Sequence, residues 1–381
     1  MTFELATAGR ILFGPGKIKD LPDLARQLGT NVLLVVGKNG ERTSGISRSL
    51  SARGITVTPF HIPHEPTIEL VSEGAAQARL RTCDSVIAVG GGSVMDAGKA
   101  IAALAMNRRP ALDYLEVIGK GQPLLAPPLP TIAVPTTAGS GAEVTRNAVL
   151  TSTEHKVKVS LRHALMLPRI ALVDPELTHS APPAVTSATG LDALSQLIEP
   201  FVSAKANPAT DGFCREGLDL AARALRRVFQ NGLDAEAREQ MAMASLFGGL
   251  ALANAGLGAV HGFAAPLGAA FDAPHGAVCA ALLPVVMRVN ARYFRKAPGL
   301  GGRYEEIARR LTGNPSATAF DGADWVDAIA KDLQIPGLSH YGLTREMIPE
   351  LVEKAKSASS MRANPVALSD DDLMEILVRA L

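Results

Sequence analysis

Asp192 and Gln196 stand four residues apart in GLDALSQLIEP. On a helix, that spacing stacks both side chains on one face. His261 and His275 follow in HGFAAPLGAAFDAPHG. A carboxylate, an amide oxygen and two imidazoles make a donor set for one divalent cation. A histidine by itself is more often a core or surface residue, and His61, His64, His155, His163, His179 and His340 are read that way.

Two turns offer a different chemistry. Gly90-Gly91-Gly92-Ser93-Val94-Met95-Asp96 follows an apolar run and opens a helical pattern. Glycines let a backbone approach an anion closely, and a helix N-terminus supplies unpaired N–H groups and partial positive charge. Ser93 adds a hydroxyl. Pro135-Thr136-Thr137-Ala138-Gly139-Ser140-Gly141-Ala142-Glu143 follows another apolar run and carries three hydroxyls and two glycines. Two such turns at neighbouring strand ends suit a pyrophosphate in the crevice at the carboxyl edge of a parallel sheet. Neither is the G-x-G-x-x-G fingerprint. Each also has a plain reading as a tight, locally bonded turn.

The elements that must hold these residues change character along the chain. Strands are predicted at Asn31 to Gly37, Gly54 to Phe60, Asp84 to Val89 and Pro130 to Val134, with helices between them over 44–53, 67–82 and 94–105. This alternation implies a parallel sheet covered on both faces. Val157 to Leu161 and Arg169 to Asp174 add strands. Beyond about Pro183, Ala- and Leu-rich periodic segments dominate, and helices are predicted over 186–202, 209–229, 235–253, 302–311, 345–357 and 370–381. Ser369 is the expected N-cap of the last. The expected architecture is a Rossmann-like α/β domain over 1–180 and an all-α domain over 181–381.

The 381 residues carry 38 Lys+Arg against 37 Asp+Glu, a net charge of +1. That balance argues against a strongly basic footprint for nucleic acid or a membrane surface. Cys83, Cys214 and Cys279 are too scattered for a disulfide framework and read as reduced thiols of a cytoplasmic protein. No signal peptide is predicted at the N-terminus. The apolar stretch after Gln240 is interrupted by Asn254 and His261 and reads as a core helix.

Together these residues resemble the iron-containing (group III) alcohol dehydrogenase family over nearly the whole chain. The matching pieces are RILFGPG (Arg10 to Gly16), GGGSVMDAGKA, PTTAGSGAEVT, VDPELT (Val173 to Thr178), GLDALSQLIEPFVS and HGFAAPLGAAFDAPHGAVCAALLPVVMRVN. The resemblance implies a dehydroquinate synthase-like architecture with a cleft between its domains. It also implies reversible hydride transfer between NAD(P)(H) and a small alcohol or aldehyde, a bound Fe²⁺ or Zn²⁺, and a homodimer. By position, Gly91, Gly92, Ser93 and Asp96 would bind the cofactor's phosphates and ribose. Thr136, Thr137 and Ser140 would line the pyrophosphate and nicotinamide end, and Lys158 would contact the cofactor. Asp192, His261 and His275 match three of the family's four metal ligands.

Three departures shape the expectations. Gln196 stands where the family's D-A-L-x-H has a histidine. Gln196 can ligate through its amide oxygen, which is a poorer donor to Fe²⁺ or Zn²⁺ and suits oxygen-preferring metals better. Ala265 stands where H-x-x-x-H-P-L-G has a second histidine, which removes a candidate proton relay. Gly37 stands where many NAD-preferring relatives have an aspartate, with Lys38 next to it and Arg42 further on. Without that acid, NADP(H) is expected to be accepted. Other readings stay open: a metal-independent keto-acid reductase like the maleylacetate reductases, a lyase of the dehydroquinate synthase type, and a non-catalytic dinucleotide-binding relative.

Overall fold

Asn31–Val36 and Ser85–Gly90 are apolar after their first residues, and their side chains point alternately to two opposite faces. Leu33, Val35, Val86 and Ala88 join one apolar cluster, while Val32, Leu34, Val36, Ile87 and Val89 join another. Strands covered on both faces read as continuous apolar runs, which is why the sequence displays them. The computed structural model describes residues 2–38, 40–271, 273–294 and 298–381; the side chains of residues 40–42, 294 and 298–300 lie outside that description.

The chain forms two units. One comprises Thr7–Thr137 and Gly141–Thr178. It contains β1 (Ile11–Phe13), β2 (Asn31–Val36), β3 (Thr56–His61), β4 (Ser85–Gly90), β5 (Thr131–Pro135), β6 (Asn147–Ser152), β7 (Val157–Arg162) and β8 (Ile170–Val173), with α1 (Leu21–Arg26), α2 (Gly40–Ser51), α3 (Ile68–Leu80) and α4 (Gly92–Met106). Six strands pair in parallel in the order β1-β8-β5-β4-β2-β3. β3 lies on one side of β2 and β4 on the other, so the strand order reverses at β2 and β4. Open α/β sheets bind ligands outside the carboxyl ends of the strands at such a reversal. Helix α4 lies close on β4: a Cβ at Gly98 would fall 2.6 Å from the Ala88 side chain.

Three strands, β1, β6 and β7, depart from expectation, and β6 was not expected at all. Val157–Arg162 is extended, but it pairs antiparallel with β6 in a separate ribbon rather than joining the parallel sheet. The three-residue β1 is too short to show a period, and its pairing with β8 rather than its own pattern defines it.

The second unit comprises Met1–Ala6, Ala138–Ser140 and His179–Leu381. The expected boundary at 180/181 therefore compares with a break after Thr178, and a short piece of the second glycine turn goes with the helices. The helices are α5 (Pro183–Val202), α6 (Pro208–Gln230), α7 (Ala235–Ala255), α8 (Ala259–Ala270), α9 (His275–Phe294), α10 (Pro298–Thr312), α11 (Ala319–Asp332), α12 (Ile348–Ser357) and α13 (Asp370–Arg379). Helices α8, α9 and α11 were not expected. Pro266 and Pro284 interrupt the helical signal of the first two, yet both prolines sit inside their helices. Ser369 caps α13 as expected, accepting from the Asp372 N–H in a reciprocal pair. Met241, Ala244 and Ala251 of α7 join Leu191, Leu194 and Phe263 in one apolar core. Among the described residues no single helix is long and apolar enough to cross a membrane; only α7 and α8 together, bent by 100°, reach that composition.

One polar cluster sits inside the α/β unit. Lys99, 1% exposed, pairs with Asp96 Oδ1 at 3.0 Å and donates to the Ala142 carbonyl and Thr145 Oγ1. Glu143 is buried nearby, and its Oε2 has no hydrogen-bond partner among the described residues. Burial raises the Glu143 carboxyl from its ordinary 4.5 to about 7, against smaller opposing effects of its own backbone N–H and Lys99. Ionising it in place costs on the order of 3 kcal/mol. Its contribution is therefore intact below the ordinary value near 4.5 and is lost as pH rises through about 7. Glu143→Gln is expected to raise the melting temperature at about pH 8 while leaving it unchanged at about pH 4 to 5. Scanning calorimetry at both values checks this. An equal effect at the two pH values would assign Glu143 a purely steric role.

Candidate active site

Asp192, Gln196 and Glu199 follow one another along a single face of α5, and all three are buried. Glu199 fixes the start of α8. Its Oε1 accepts the Val260 N–H at 2.7 Å, and its Oε2 accepts His261 Nδ1–H at 2.7 Å. A carboxylate on Nδ1 orients the ring and points Nε2 the other way. That nitrogen lies 3.4 Å from Asp192 Oδ1.

Helix α9 enters the same place through a close approach. A Cβ at Gly276 would fall 2.3 Å from the Ala188 carbonyl oxygen, so only glycine lets α9 come this near α5. The approach sets His275 Nε2 3.9 Å from Asp192 Oδ1. Cys279 follows His275 one turn later, and its Sγ lies 3.7 Å from His275 Nε2 and 3.8 Å from His261 Nε2. Ligand atoms of Asp192, His261, His275 and Cys279 all fall within 4.8 Å of one another. His275 keeps 40% of its side chain exposed, while Asp192 and His261 each keep 6%.

The electrostatics are those of a coupled cluster. Burial works to raise the Asp192 carboxyl, but His261, His275 and Gln196 hold it below its ordinary value. Burial works to lower His261, but Cys279, Asp192 and Glu199 together hold it well above 6.5. Cys279 is the main cause that raises His275 to about 9, with burial opposing. Burial pushes the Cys279 thiol up, and the two imidazoles bring it below its ordinary value. Without an ion the cluster thus favours a carboxylate and a thiolate against protonated imidazoles, so a cation that binds here must displace the imidazole protons.

Asp192 Oδ1 and Gln196 Oε1 are buried with no hydrogen-bond partner among the described residues. Buried acceptors are ordinarily satisfied, and a cation is one way to satisfy them. These residues fit a divalent ion. The structure brings Asp192, His261 and His275 together and puts Gln196 beside Asp192. Two further residues belong here that the sequence reading left out. Glu199 lies seven positions after Asp192, and Cys279 four after His275; helical spacing was the available signal for both. Ala265, half-buried on α8, offers no titratable group.

The two glycine- and hydroxyl-rich turns lie in the α/β unit, except for Ala138–Ser140. β4 ends at Gly90, Gly91 precedes α4, and no side chain caps that helix. The Thr136 N–H donates to the Gly90 carbonyl at 2.9 Å, and a Cβ at Gly91 would fall 3.3 Å from Thr137 Oγ1. Gly91, Gly92 and Ser93 therefore share one strand end with Thr136 and Thr137. Ser140 belongs to the helical unit, where its neighbour Gly139 closely approaches Thr189. Gly37 follows β2, and Lys38 beside it is exposed; the Arg42 side chain lies outside the described residues. Asp96 is engaged elsewhere, its Oδ1 on Lys99 and its Oδ2 accepting the Val149 N–H at 3.0 Å.

Glu65 is an unexpected member. Its Oε1 accepts Ser93 Oγ–H at 3.1 Å, and its Oε2 lies 3.5 Å from Lys158 Nζ. Lys158 is 9% exposed and Glu65 53%. The carboxylate thus lies across two groups expected at the cofactor.

The profile described as "Iron-containing alcohol dehydrogenase" matches residues 8–175, and "Fe-containing alcohol dehydrogenase family, C-terminal" matches residues 186–381. Choline dehydrogenase of Bacillus subtilis is 34% identical over 97% of this chain and 92% of its own length. The structure of a 1,3-propanediol oxidoreductase superposes with a TM-score of 0.92 at 33% identity, covering 100% of both chains. That of sulfoacetaldehyde reductase from Bifidobacterium kashiwanohense, in complex with NAD⁺, does so with a TM-score of 0.88 at 31% identity, covering 99% of this chain and 98% of that one. With both profiles matched in order on the fold and cluster described above, the chain belongs to the iron-containing alcohol dehydrogenase family and is an alcohol dehydrogenase.

Proposed function

We propose that this enzyme interconverts a small alcohol and its aldehyde using a divalent cation, Fe²⁺ or Zn²⁺, held by Asp192, His261 and His275 beside Gln196, and that it takes NADP(H) as well as NAD(H). The observation that carries the reading is the buried Asp192 Oδ1, which has no hydrogen-bond partner among the described residues and is set between two imidazole nitrogens. A bound cation supplies Lewis acidity, which lowers an alcohol's pKa and polarises a carbonyl. The nicotinamide cofactor carries the hydride. Glu199 orients the His261 ring so that Nε2 faces Asp192. The uncapped start of α4, with Ser93 and the Thr136–Thr137 turn, supplies donors for the pyrophosphate. Lys158 adds positive charge beside Ser93 once Glu65 gives way. Asp96 positions α4 against β6 through the Val149 N–H.

Asp192→Ala is expected to lower turnover with short aldehydes at least about 100-fold, more than the loss of an outer partner of a metal ligand typically costs. NADH affinity, read by fluorescence titration, should not change. Near-native turnover in this variant, or undiminished turnover in chelated, metal-free enzyme, would overturn the metal reading and favour a metal-independent reductase.

Two predictions concern the cofactor. Removing the charge of Glu65 removes repulsion toward phosphate and frees Ser93 and Lys158. Glu65→Gln should tighten NADH and NADPH about threefold to tenfold, an effect that shrinks in high salt. Weaker binding would instead make Glu65 a hydroxyl acceptor. Lys38→Ala should weaken NADPH while sparing NADH in the same titration. Equal effects on both would remove Lys38 from 2′-phosphate recognition.

A further inference from the structure

The geometry points to Cys279, rather than Gln196, as the fourth protein ligand of the cation, completing a set of one carboxylate, two imidazoles and one thiolate. This rests on the metal reading above and sharpens it. Zinc bonds of about 2.0–2.3 Å place tetrahedral donors roughly 3.3–3.6 Å apart. The observed separations are 3.4 Å for Asp192 to His261, 3.7 Å and 3.8 Å for Cys279 to the two imidazoles, and 3.9 Å for Asp192 to His275. All four donor atoms lie within 4.8 Å of one another, so an inward movement of these side chains would close the set around one ion.

Two further observations support the assignment. Cys279 is fully buried and free of any disulfide, so its sulfur faces the cluster and not solvent. Asp192 Oδ1, opposite it, is a buried acceptor with no hydrogen-bond partner among the described residues. Gln196 stands one turn from Asp192 on α5, and its buried Oε1 lacks a hydrogen-bond partner among the described residues, so it is the competing fourth donor; a thiolate is the stronger ligand of the two for zinc.

The consequence is a change in metal preference. A neutral amide oxygen at the fourth position would favour oxygen-preferring ions, whereas a thiolate is soft and favours zinc over Fe²⁺ or Mn²⁺. Zinc also accepts a fifth donor, so four protein ligands leave the site open to substrate.

The test is X-ray absorption at the zinc edge on full-length enzyme loaded with one equivalent of Zn²⁺. Wild type is expected to show one sulfur neighbour at about 2.3 Å. That shell should vanish in Cys279→Ser, and chelator competition should show zinc held at least about tenfold more weakly, with Gln196→Ala affected less. The wild-type spectrum needs no variant, so a poorly folded substitution does not blunt the test. A shell of only nitrogen and oxygen in wild type, with zinc weakened by Gln196→Ala and not by Cys279→Ser, would overturn the ligand assignment while the metal reading stands. No stoichiometric zinc in wild type, with Asp192→Ala indistinguishable from it, would overturn both.

Discussion

Burying a carboxylate costs several kcal/mol unless hydrogen bonds and opposite charge offset it, and α5 buries two on one face, Asp192 and Glu199. They are treated differently. Glu199 has a donor on each oxygen, the Val260 N–H and His261 Nδ1–H, and so is satisfied within the protein. Asp192 is left with an Oδ1 that has no hydrogen-bond partner among the described residues. The first carboxylate sets the direction of the His261 ring, and the second is where that direction leads. Helices α8 and α9 must then come close to α5. Gly258 and Gly276 allow it, since a Cβ at either would fall within 3 Å of Glu199 Oε1 or the Ala188 carbonyl oxygen. The remaining helices need only hold these three in register, which the shared apolar core around Leu194, Phe263 and Val278 does.

Much of this was legible in the sequence, for definite reasons. The parallel sheet announced itself because strands buried on both faces are apolar on successive residues, as over Val32–Val36 in β2 and Val86–Val89 in β4. Asp192 and Gln196 could be paired because helical spacing is a local property. The distant His261 and His275 could be grouped with them only through chemistry, and through resemblance to a family. Helices α8 and α9 stayed hidden because Pro266 and Pro284 lie inside them, and proline is read as a stop. The hairpin of β6 and β7 stayed hidden because nothing in Val157–Arg162 distinguishes an antiparallel partner from a parallel one. Cys279 was passed over for a different reason. A thiol far from other cysteines reads as inert packing, and only tertiary contact with two imidazoles gives it another role.

The two candidate sites also differ in how they are made ready. The cation cluster is carried on three packed helices, and its key contacts are buried, so its groups are ordered before any ligand arrives. The phosphate turns are ordered in their backbone, through the Thr136 to Gly90 hydrogen bond and the packing of Gly98 on β4, but not in their charges. There, a half-exposed Glu65 occupies the hydroxyl of Ser93 and the ammonium of Lys158. In the cofactor site proposed above, a dinucleotide would displace that carboxylate to reach both, and the lost contacts would subtract from its binding. Exposed ion pairs contribute only about 0–1 kcal/mol, so the displacement is a modest brake on affinity and not a block. This division suits reversible redox chemistry. The group that polarises the substrate gains from rigidity, because its action depends on fixed geometry. The cofactor has to leave after each turnover, and a site that holds it less than maximally tightly lets it do so.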